Sequence, residues 1–453
     1  MKRFGSSGAR GPVETDLTPE TVLTIAQTAV NTWNTNAIAI GRDVRVTGRS
    51  LEAAAIAGAT AAGAEVDCLG VVPTPAVQAY ARRHGIHAIV ITASHNPPPD
   101  NGVKLIERDG GELSVPAYEE IETRLSAASD QLAEWNEFGA SRTVEGINRD
   151  YVDELVGALD QARISTANLR IVIDSGNGTT GWTSATMCRR LGCEVHTINA
   201  QPDGHFPGRQ SEPVPSVLDE LSAMVTASDA DLGVAHDGDG DRAVFVDERG
   251  KVVDGGAVLS ALAAELLHPG DAIVAAVTAP KSLSAVASAM GGQLELTPVG
   301  AANVLTAVRT LQEANQTVAI AGEQNGGIIV PTYSLARDGA YALGLMLELV
   351  AKRPLSELVA PYTEREFRRH DIKFDVVSER EQAIKTVEGW AKEQPGDLSR
   401  IDGIRLDLDD RWVLARASGT EPLIRIYAEA PTAEAAIDLI EEVADRIEAQ
   451  HEA

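Results

Sequence analysis

Cysteines and long apolar segments are both scarce in this sequence of 453 residues. The three cysteines, Cys68, Cys188 and Cys193, are too few and too irregularly spaced for a disulfide framework or a zinc site. No run approaches the ~18 consecutive apolar residues that cross a bilayer. The start, MKRFGSSGARG, lacks the apolar core of a signal peptide. We therefore expect a cytoplasmic protein with reduced cysteines and no membrane partner.

Positive charge and aromatic residues are also rare. Lys and Arg together number 39 against 66 Asp and Glu, so the net charge is −27, and aromatics make up 4% of the chain. Such a chain repels nucleic acid and anionic lipid, and we expect neither as a partner. The acidic residues are spread along the chain, which is typical of a solvated surface in a salt-rich cytosol, where the Debye length falls to ~3 Å at 1 M. We therefore expect a halophilic protein whose anionic ligands bind in a locally cationic pocket.

Two common catalytic motifs are absent. No G-x-x-x-x-G-K-[ST] loop is present, so a nucleotide-dependent kinase of the P-loop type is not supported. The serine that follows an apolar run at Ala88–Ile91 is not in a G-x-S-x-G elbow, which argues against an α/β-hydrolase.

Strand and helix patterns alternate through most of the chain, which predicts α/β units with mainly parallel sheets. A polar stretch over 127–148 and pattern changes near Gly255 and Arg365 predict boundaries. After Arg365, alternating segments and two helices favour a smaller α+β unit. The predicted units are 1–148, 149–254, 255–364 and 365–453. In each of the first three, a distinctive loop directly follows a strand.

The first of these loops is TASHNPPPDNGVK, residues 92–104. It follows the strand predicted at Ala88–Ile91, and ligands of open α/β sheets bind beyond the carboxyl ends of strands. A tight turn at Asn101-Gly102 would bring Lys104 back toward Ser94 and His95. A hydroxyl beside an imidazole and facing an ammonium is suited to accepting an anionic group and passing it on. The alternative is a plain Ser/Asn/Pro turn.

The second loop, HDGDGDR at 236–242, carries three carboxylates separated by glycines. Glycine lets the backbone fold tightly, so that Asp237, Asp239 and Asp241 point toward one place. Oxygen ligands of this kind suit Mg²⁺, which keeps a position for a substrate phosphate. An EF-hand is excluded because Arg242 stands where that loop needs glycine. A solvated turn remains the alternative, although three adjacent carboxylates repel one another when uncompensated.

Two further loops are candidates for substrate binding. GEQNGG at 322–327 offers Glu323 and Asn325 to the hydroxyls or amine of a polyol, with a plain turn as the alternative. The segment RASGTEP at 416–422, with Arg425, combines backbone N–H groups, hydroxyls and two arginines, which suits phosphate. A structural loop with surface ion pairs is its alternative. Arg10 and the pair Arg42 and Arg45 are weaker basic candidates, each interpreted as a surface or interdomain charge.

The four motifs TASHNP, DGDGDR, GEQNGG and RASGTEPLIRIYAE, in this order and spacing, resemble the α-D-phosphohexomutase family of phosphoglucomutases, phosphomannomutases and phosphoglucosamine mutases. The resemblance covers essentially the whole chain. It implies three related α/β domains and a smaller α+β domain around a central cleft. It also implies an isomerase that interconverts hexose 6-phosphate and hexose 1-phosphate through a phosphoserine, a hexose 1,6-bisphosphate intermediate and Mg²⁺.

The resemblance implies roles for the motif residues as well. The family's metal ligands correspond to Asp237, Asp239, Asp241 and the phosphorylated Ser94. Its catalytic residues around the phosphoserine correspond to Arg10, His95, Lys104 and Arg242. Its sugar-binding and phosphate-binding residues correspond to Glu323, Asn325, Arg416, Ser418, Gly419, Thr420 and Arg425.

Some positions depart from the family pattern. Asn325-Gly326-Gly327 stands where many members have Ser then His, and this form, with NAQPDGHFPGR, resembles the archaeal phosphoglucosamine mutase type. Glucosamine 6-phosphate is therefore the expected substrate, with glucose or mannose phosphate as alternatives. Gln210-Ser211 replaces the common Asn-Pro, and we expect this to matter little. Lys281 matches a third-domain lysine of some relatives only poorly.

A sugar phosphatase and a non-catalytic sugar-phosphate sensor are the alternative functions. A monomer and a homodimer are both compatible with the sequence.

Overall fold

The computed structural model describes residues 4–5, 7–127, 132–374, 377–418 and 422–451 of the chain. Over these ranges the chain forms four sheets with helices packed on them. Among the helices within these ranges, none is both long and apolar enough to span a bilayer.

The first sheet has seven strands in the order β1-β2-β6-β5-β3-β4-β7. Its first helix begins at Pro19 because the Thr18 side chain accepts the Thr21 N–H and proline fits the first helical position. The strands are β1 (Phe4–Gly5), β2 (Gly8–Pro12), β3 (Ala37–Arg42), β4 (Glu65–Val71), β5 (His87–Ile91), β6 (Asp100–Ile106) and β7 (Ser141–Thr143), and the helices are α1 (Pro19–Trp33), α2 (Gly48–Ala61), α3 (Thr74–His84) and α4 (Val115–Ala127).

The predicted tight turn at Asn101-Gly102 is wrong. Both residues lie inside β6, which runs antiparallel to β5 and to β2. Glycine is needed at 102 because neighbouring strands approach closely, and a Cβ there would lie 2.1 Å from the Thr92 carbonyl oxygen. The chain reverses earlier, between the end of β5 and Asp100, and β6 then carries Lys104 back beside the site.

The second and third sheets have four strands each, in the orders β11-β10-β8-β9 and β13-β12-β14-β15. The second uses β8 (Arg170–Asp174), β9 (Glu194–Ile198), β10 (Leu232–Ala235) and β11 (Val244–Val246) with α5 (Ile147–Ala158), α6 (Gln161–Ala167), α7 (Thr183–Arg190) and α8 (Asp219–Ala227). The third uses β12 (Ala272–Ala276), β13 (Gln293–Thr297), β14 (Val318–Gly322) and β15 (Ile328–Ile329) with α9 (Gly255–Leu266), α10 (Lys281–Ala289), α11 (Ala301–Glu313), α12 (Gly339–Val350) and α13 (Leu355–Val359).

One strand arrangement recurs in these three sheets. In each sheet, three parallel strands are followed along the chain by a fourth strand, which pairs antiparallel with the third. The spatial orders are β4-β3-β5-β6, β9-β8-β10-β11 and β13-β12-β14-β15. The three loops singled out in the sequence all connect the third of these strands to the fourth. The recurring layout therefore places all three loops at equivalent positions.

The fourth sheet is antiparallel, in the order β16-β20-β19-β18-β17. Its elements are β16 (Glu366–Lys373), α14 (Val377–Ala391), β17 (Asp397–Ser399), β18 (Ile404–Asp407), β19 (Trp412–Ala417), β20 (Leu423–Ala430) and α15 (Ala433–His451). The α+β unit expected at this end of the chain is confirmed. The segment predicted to bind phosphate connects the paired strands β19 and β20.

The apolar core is continuous through the first three sheets. One buried cluster includes Val90 of β5, Ile171 of β8 and Ile273 of β12, so the three units pack against one another. The fourth sheet buries a separate cluster with its two helices, including Ile424 and Val443. It meets the third unit at a small apolar cluster formed by Val277, Trp412 and Leu414, with partly buried neighbours.

Candidate active site

Ser94 lies directly beyond β5 and is fully buried. Its backbone is left-handed, with a φ of 52°, which is unusual for a residue with a Cβ. The Ser94 N–H donates to Thr92 Oγ1 at 2.8 Å. Its hydroxyl donates to Asp237 Oδ2 of the second unit at 2.6 Å and lies 3.4 Å from His95 Nδ1. The serine hydroxyl therefore faces the carboxylate loop across the boundary between two units.

Arg45 holds the Ser94 loop in shape. Only 1% of Arg45 is exposed, and its guanidinium pairs with Asp43, which in turn accepts the Thr92 hydroxyl. The expected surface position is wrong, because the loop carbonyls surround Arg45, whereas the alternative of an interdomain charge fits its place over the Phe206 ring of the second unit. Arg45 donates to the carbonyl oxygens of Ser94 at 2.9 Å, Asn96 at 2.7 Å, Pro97 at 2.8 Å and Asp100 at 2.8 Å. Its neighbour Arg42 pairs with Glu52.

The three aspartates of the second loop come together as predicted. Oxygen atoms from Asp237, Asp239 and Asp241 all lie within 4.8 Å of one another, and all three residues are buried. Asp239 Oδ1 and Asp241 Oδ1 are buried without a hydrogen-bond partner. Burial, followed by repulsion from Asp241 and Asp239, raises the pKa of Asp237 to about 8. Orphaned, mutually repelling carboxylate oxygens of this kind fit a hard divalent cation.

Lys104 lies against the same carboxylates. Its amine donates to Asp239 Oδ2 at 2.9 Å and to Asp241 Oδ2 at 2.7 Å. Burial raises the pKa of Asp241, but the positive charges of Arg337, Lys104 and Arg242 outweigh burial and hold that pKa well below its ordinary value. The predicted approach of Lys104 to the Ser94 site is therefore found, and the lysine reaches it from a strand.

Two arginines complete the cationic side of the site, and an imidazole contacts one of them and Ser94. Arg242 Nη2 lies 3.0 Å from His95 Nδ1, while its backbone N–H donates to Asp237. The positive charge of Arg242 and burial hold the pKa of His95 far below its ordinary value, so the imidazole is neutral. Arg10 reaches the Ala93 carbonyl and the Asn96 side chain at 3.4 Å each.

Arg337 and Glu112 are site residues that the sequence did not reveal. Arg337, from the third unit, donates to Asp241 Oδ2 at 2.6 Å and lies 3.7 Å from Glu323. Glu112, from the first unit, lies 3.4 Å from Arg337 and 3.7 Å from Lys104. Neither belongs to a recognisable motif, so only the spatial meeting of three units reveals them. Ser211, which the sequence marked only as a departure expected to matter little, also reaches the site, because its hydroxyl donates to the Ser94 carbonyl at 3.0 Å.

The third loop presents its two predicted residues differently. Glu323 is buried and accepts the Gly300 N–H at 3.0 Å. Asn325 is exposed, and its side-chain oxygen accepts the Gly327 N–H at 3.1 Å. The contact between Glu323 and Arg337 connects this loop to the carboxylate cluster.

The arginines predicted to bind phosphate lie side by side on paired strands. Arg416 of β19 and Arg425 of β20 are register partners. Arg416 donates to Asp402 at 2.9 Å, and the same carboxylate oxygen accepts the Val299 N–H, next to Gly300. Ser418 closes the strand end through its N–H to the Leu423 carbonyl. The predictions for Gly419 and Thr420 lie outside the described residues.

Lys281 does not contact this cluster. Its amine donates to the carbonyl oxygens of Leu408 at 2.6 Å and Asp409 at 3.1 Å, on the turn between β18 and β19. It therefore joins the third unit to the fourth.

Family models match four successive segments of the chain. They are described as phosphoglucomutase/phosphomannomutase alpha/beta/alpha domains I, II and III and C-terminal domain, and match residues 1–132, 149–250, 254–365 and 372–446. The chain belongs to the α-D-phosphohexomutase family. The fold expected from the sequence, three related α/β units and an α+β unit, is thereby confirmed.

Relatives of this phosphohexomutase differ in the sugar that their names give. A probable phosphoglucosamine mutase of Methanopyrus kandleri is 39% identical over 98% of this chain and 97% of its own length. A phosphoglucomutase/phosphomannomutase of Thermococcus kodakarensis is 36% identical over 97% of each chain. The crystal structure of a Burkholderia thailandensis family protein superposes with a TM-score of 0.85 at 27% identity, covering 98% of this chain and 96% of that one. This phosphohexomutase is accordingly an isomerase, an intramolecular phosphotransferase.

Proposed function

We propose that this phosphohexomutase interconverts a hexose 6-phosphate and the corresponding 1-phosphate through a phosphoserine at Ser94 and a hexose 1,6-bisphosphate. The observation that carries the proposal is the distance of 2.6 Å between the Ser94 hydroxyl and Asp237, inside a buried group of three carboxylates. A serine aimed at a cation site and surrounded by Arg10, Lys104 and Arg242 suits an enzyme that holds and releases a phosphoryl group.

The proposed cycle moves one phosphoryl group out and another back. The bond between phosphorus and Ser94 Oγ breaks as a bond forms to O1 of the sugar, and the proton of that hydroxyl ends on Ser94 Oγ. The bisphosphate turns over in the cleft. The bond between phosphorus and O6 then breaks as a bond forms to Ser94 Oγ, and the proton of the Ser94 hydroxyl ends on O6, leaving the 1-phosphate. Lys104, Arg10 and Arg242 hold the transferring group, while His95 packs beside it.

Mg²⁺ is the cofactor that the carboxylates fit best. Asp237, Asp239, Asp241 and an oxygen of phosphorylated Ser94 would hold it, and the partnerless Oδ1 atoms of Asp239 and Asp241 support this assignment. When bound, the ion neutralises charge that develops on the transferring phosphoryl group.

The remaining roles concern the part of the substrate that does not react. We propose that Arg416, Ser418, Gly419, Thr420 and Arg425 bind the distal phosphate, so that one site serves both orientations of the bisphosphate. The register pairing of the two arginines supports this, because arginines opposite each other on neighbouring strands bring two positive charges to one dianion. The domains proposed around the cleft are 1–148, 149–254, 255–364 and 365–453; one sheet per unit and the four matched segments support them.

Glucosamine 6-phosphate is the proposed main substrate. Buried Glu323 offers a carboxylate that suits a C2 ammonium, and Asn325 offers a donor and an acceptor. The name of the Methanopyrus kandleri relative favours this sugar, whereas that of the Thermococcus kodakarensis relative favours glucose and mannose phosphates.

The test combines one variant with a substrate comparison. Intact-mass and peptide mapping of the isolated protein should find phosphate on Ser94, and Ser94→Ala should lose nearly all mutase activity while staying folded. Values of kcat/KM on glucosamine 6-phosphate, glucose 1-phosphate and mannose 1-phosphate, with Mg²⁺ and bisphosphate primer, then rank the sugars. Release of inorganic phosphate without isomerisation would identify a phosphatase, and binding without turnover would identify a sensor.

A further inference from the structure

The Ser94 carbonyl oxygen receives hydrogen bonds from two different units. Arg45 Nη2 donates at 2.9 Å from the first unit, and Ser211 Oγ donates at 3.0 Å from the second. With Thr92 holding the N–H, both backbone polar groups of Ser94 are bound by side chains. A left-handed residue with a Cβ persists only when its surroundings hold it in place, and these three side chains do so.

The second unit thus contacts Ser94 at both ends. Asp237 accepts its hydroxyl, and Ser211 donates to its carbonyl. Ser211 is 3% exposed and packs against Gly238, where a Cβ would lie 2.7 Å from Ser211 Oγ and 2.8 Å from the Ser94 oxygen. The serine at 211 is therefore held in a narrow space between the two loops.

These two contacts differ in what phosphorylation does to them. Phosphorylation of Ser94 replaces the hydroxyl proton, so the hydrogen bond from Ser94 to Asp237 is lost. The bond from Ser211 uses the backbone carbonyl, which phosphorylation leaves unchanged. This contact is consequently available in both states of the nucleophile.

We propose that Ser211 is a positioning residue, which aligns Ser94 Oγ with the carboxylate loop of the second unit in both the free and the phosphorylated enzyme. The proposal rests on the proposed function, because it acts through the phosphorylated Ser94. It replaces the expectation that Gln210-Ser211 matters little with a different hypothesis, since a proline at 211 has no hydroxyl to donate.

The experiment compares Ser211→Ala and Ser211→Gly with the parent enzyme. Each variant is loaded with phosphate on Ser94, and discharge to sugar phosphate is followed by rapid quench beside steady-state kcat and KM. We expect the rate of discharge and kcat to fall by about fivefold, the effect of losing one neutral hydrogen bond, with KM unchanged. Ser228→Ala is the matched control, because that half-buried hydroxyl of the same unit bonds only to carbonyl oxygens at the end of α8.

A purely structural role would lower the melting temperature without separating kcat from KM. Parent-like discharge in both variants, or a rise in KM at unchanged kcat, would overturn the proposal. The Ser94→Ala variant shows whether a negative result concerns Ser211 alone or the proposed function as a whole. If that variant is inactive while the Ser211 variants behave like the parent, only the role of Ser211 is wrong.

Discussion

Asp239 shows how one carboxylate is divided between protein and cation. Its Oδ2 accepts Thr74 Oγ1 at 2.7 Å and Lys104 Nζ at 2.9 Å, while its Oδ1 is buried without a partner. The first oxygen is used to hold three parts of the site together. The second is left for a ligand, which is why replacing the charge here tests metal binding more directly than replacing a fully bonded carboxylate.

We therefore predict that Asp239→Asn weakens Mg²⁺ binding and lowers kcat by about 100-fold, because the missing charge matters most in the transition state. KM should change much less. The measurements are Mg²⁺ titration by calorimetry and steady-state kinetics, with Asp247→Asn as control, since that buried carboxylate of the same unit accepts backbone N–H groups. Full activity after chelation of divalent ions would contradict the metal assignment.

Asp338 is a buried carboxylate with a different environment. Its Oδ1 accepts the Tyr151 hydroxyl at 2.6 Å and the Tyr341 N–H at 2.9 Å. Burial raises its pKa from 3.8 to about 6. The pKa of Asp338 is therefore higher in the folded than in the unfolded protein. Its contribution to stability is fully present at a pH below the unfolded pKa, and it is lost as the pH rises through about 6.

Asp338→Asn keeps an oxygen to accept both hydrogen bonds but cannot ionise. Between about pH 5 and about pH 7 the stability of the variant should rise relative to the parent by about 1 kcal/mol. Denaturant unfolding of both proteins at each pH, followed in the transition that unfolds the third unit, gives the difference in stability, in which contributions of other titrating groups cancel. A difference that stays constant with pH would show that Asp338 does not titrate in this range.

At the scale of elements, the sequence predicted where the site loops lie, but it did not predict the residues that contact these loops from other units. Each motif followed an apolar run, so its position at a strand end could be predicted, and the three aspartates were brought together by local glycines. Arg337 and Glu112 could not be predicted because each reaches the site from an element distant in sequence. Ser211 was noted in the sequence, but its contact with the Ser94 carbonyl could not be predicted for the same reason. The tight turn at Asn101-Gly102 was mistaken since glycine also serves where strands approach closely.

The next prediction concerns Arg425, on the hairpin of β19 and β20. Arg425→Lys keeps the charge and loses the planar fork that binds two phosphate oxygens. We expect KM for the sugar phosphate to rise about tenfold with little change in kcat. Arg400→Lys, an exposed position of the same unit, is the matched control. An unchanged KM would mean that Arg425 does not bind the phosphate.

At the scale of the whole molecule, the net charge of −27 dominates. Like charges spread over one surface repel one another, and salt screens them over a Debye length of ~3 Å at 1 M. We predict that the melting temperature and activity rise steadily from low to molar KCl. Sucrose at matched osmolality controls for solute exclusion, which stabilises folded proteins without screening charge. Equal stability at both extremes of salt would reject an adaptation to high salt.

The separate core of the fourth sheet implies that heat does not unfold this protein in one cooperative step. Residues of that core pack among themselves, and within the described part of the chain the buried apolar contact with the third unit is the small cluster around Trp412. Scanning calorimetry should resolve two transitions, so that the calorimetric enthalpy exceeds the van't Hoff enthalpy of either. Between them lies a temperature range in which the Ser94 loop and its carboxylates stay native while Arg416 and Arg425 are released. A sample warmed into this range should keep its phosphoserine, stop turning over substrate and recover on cooling.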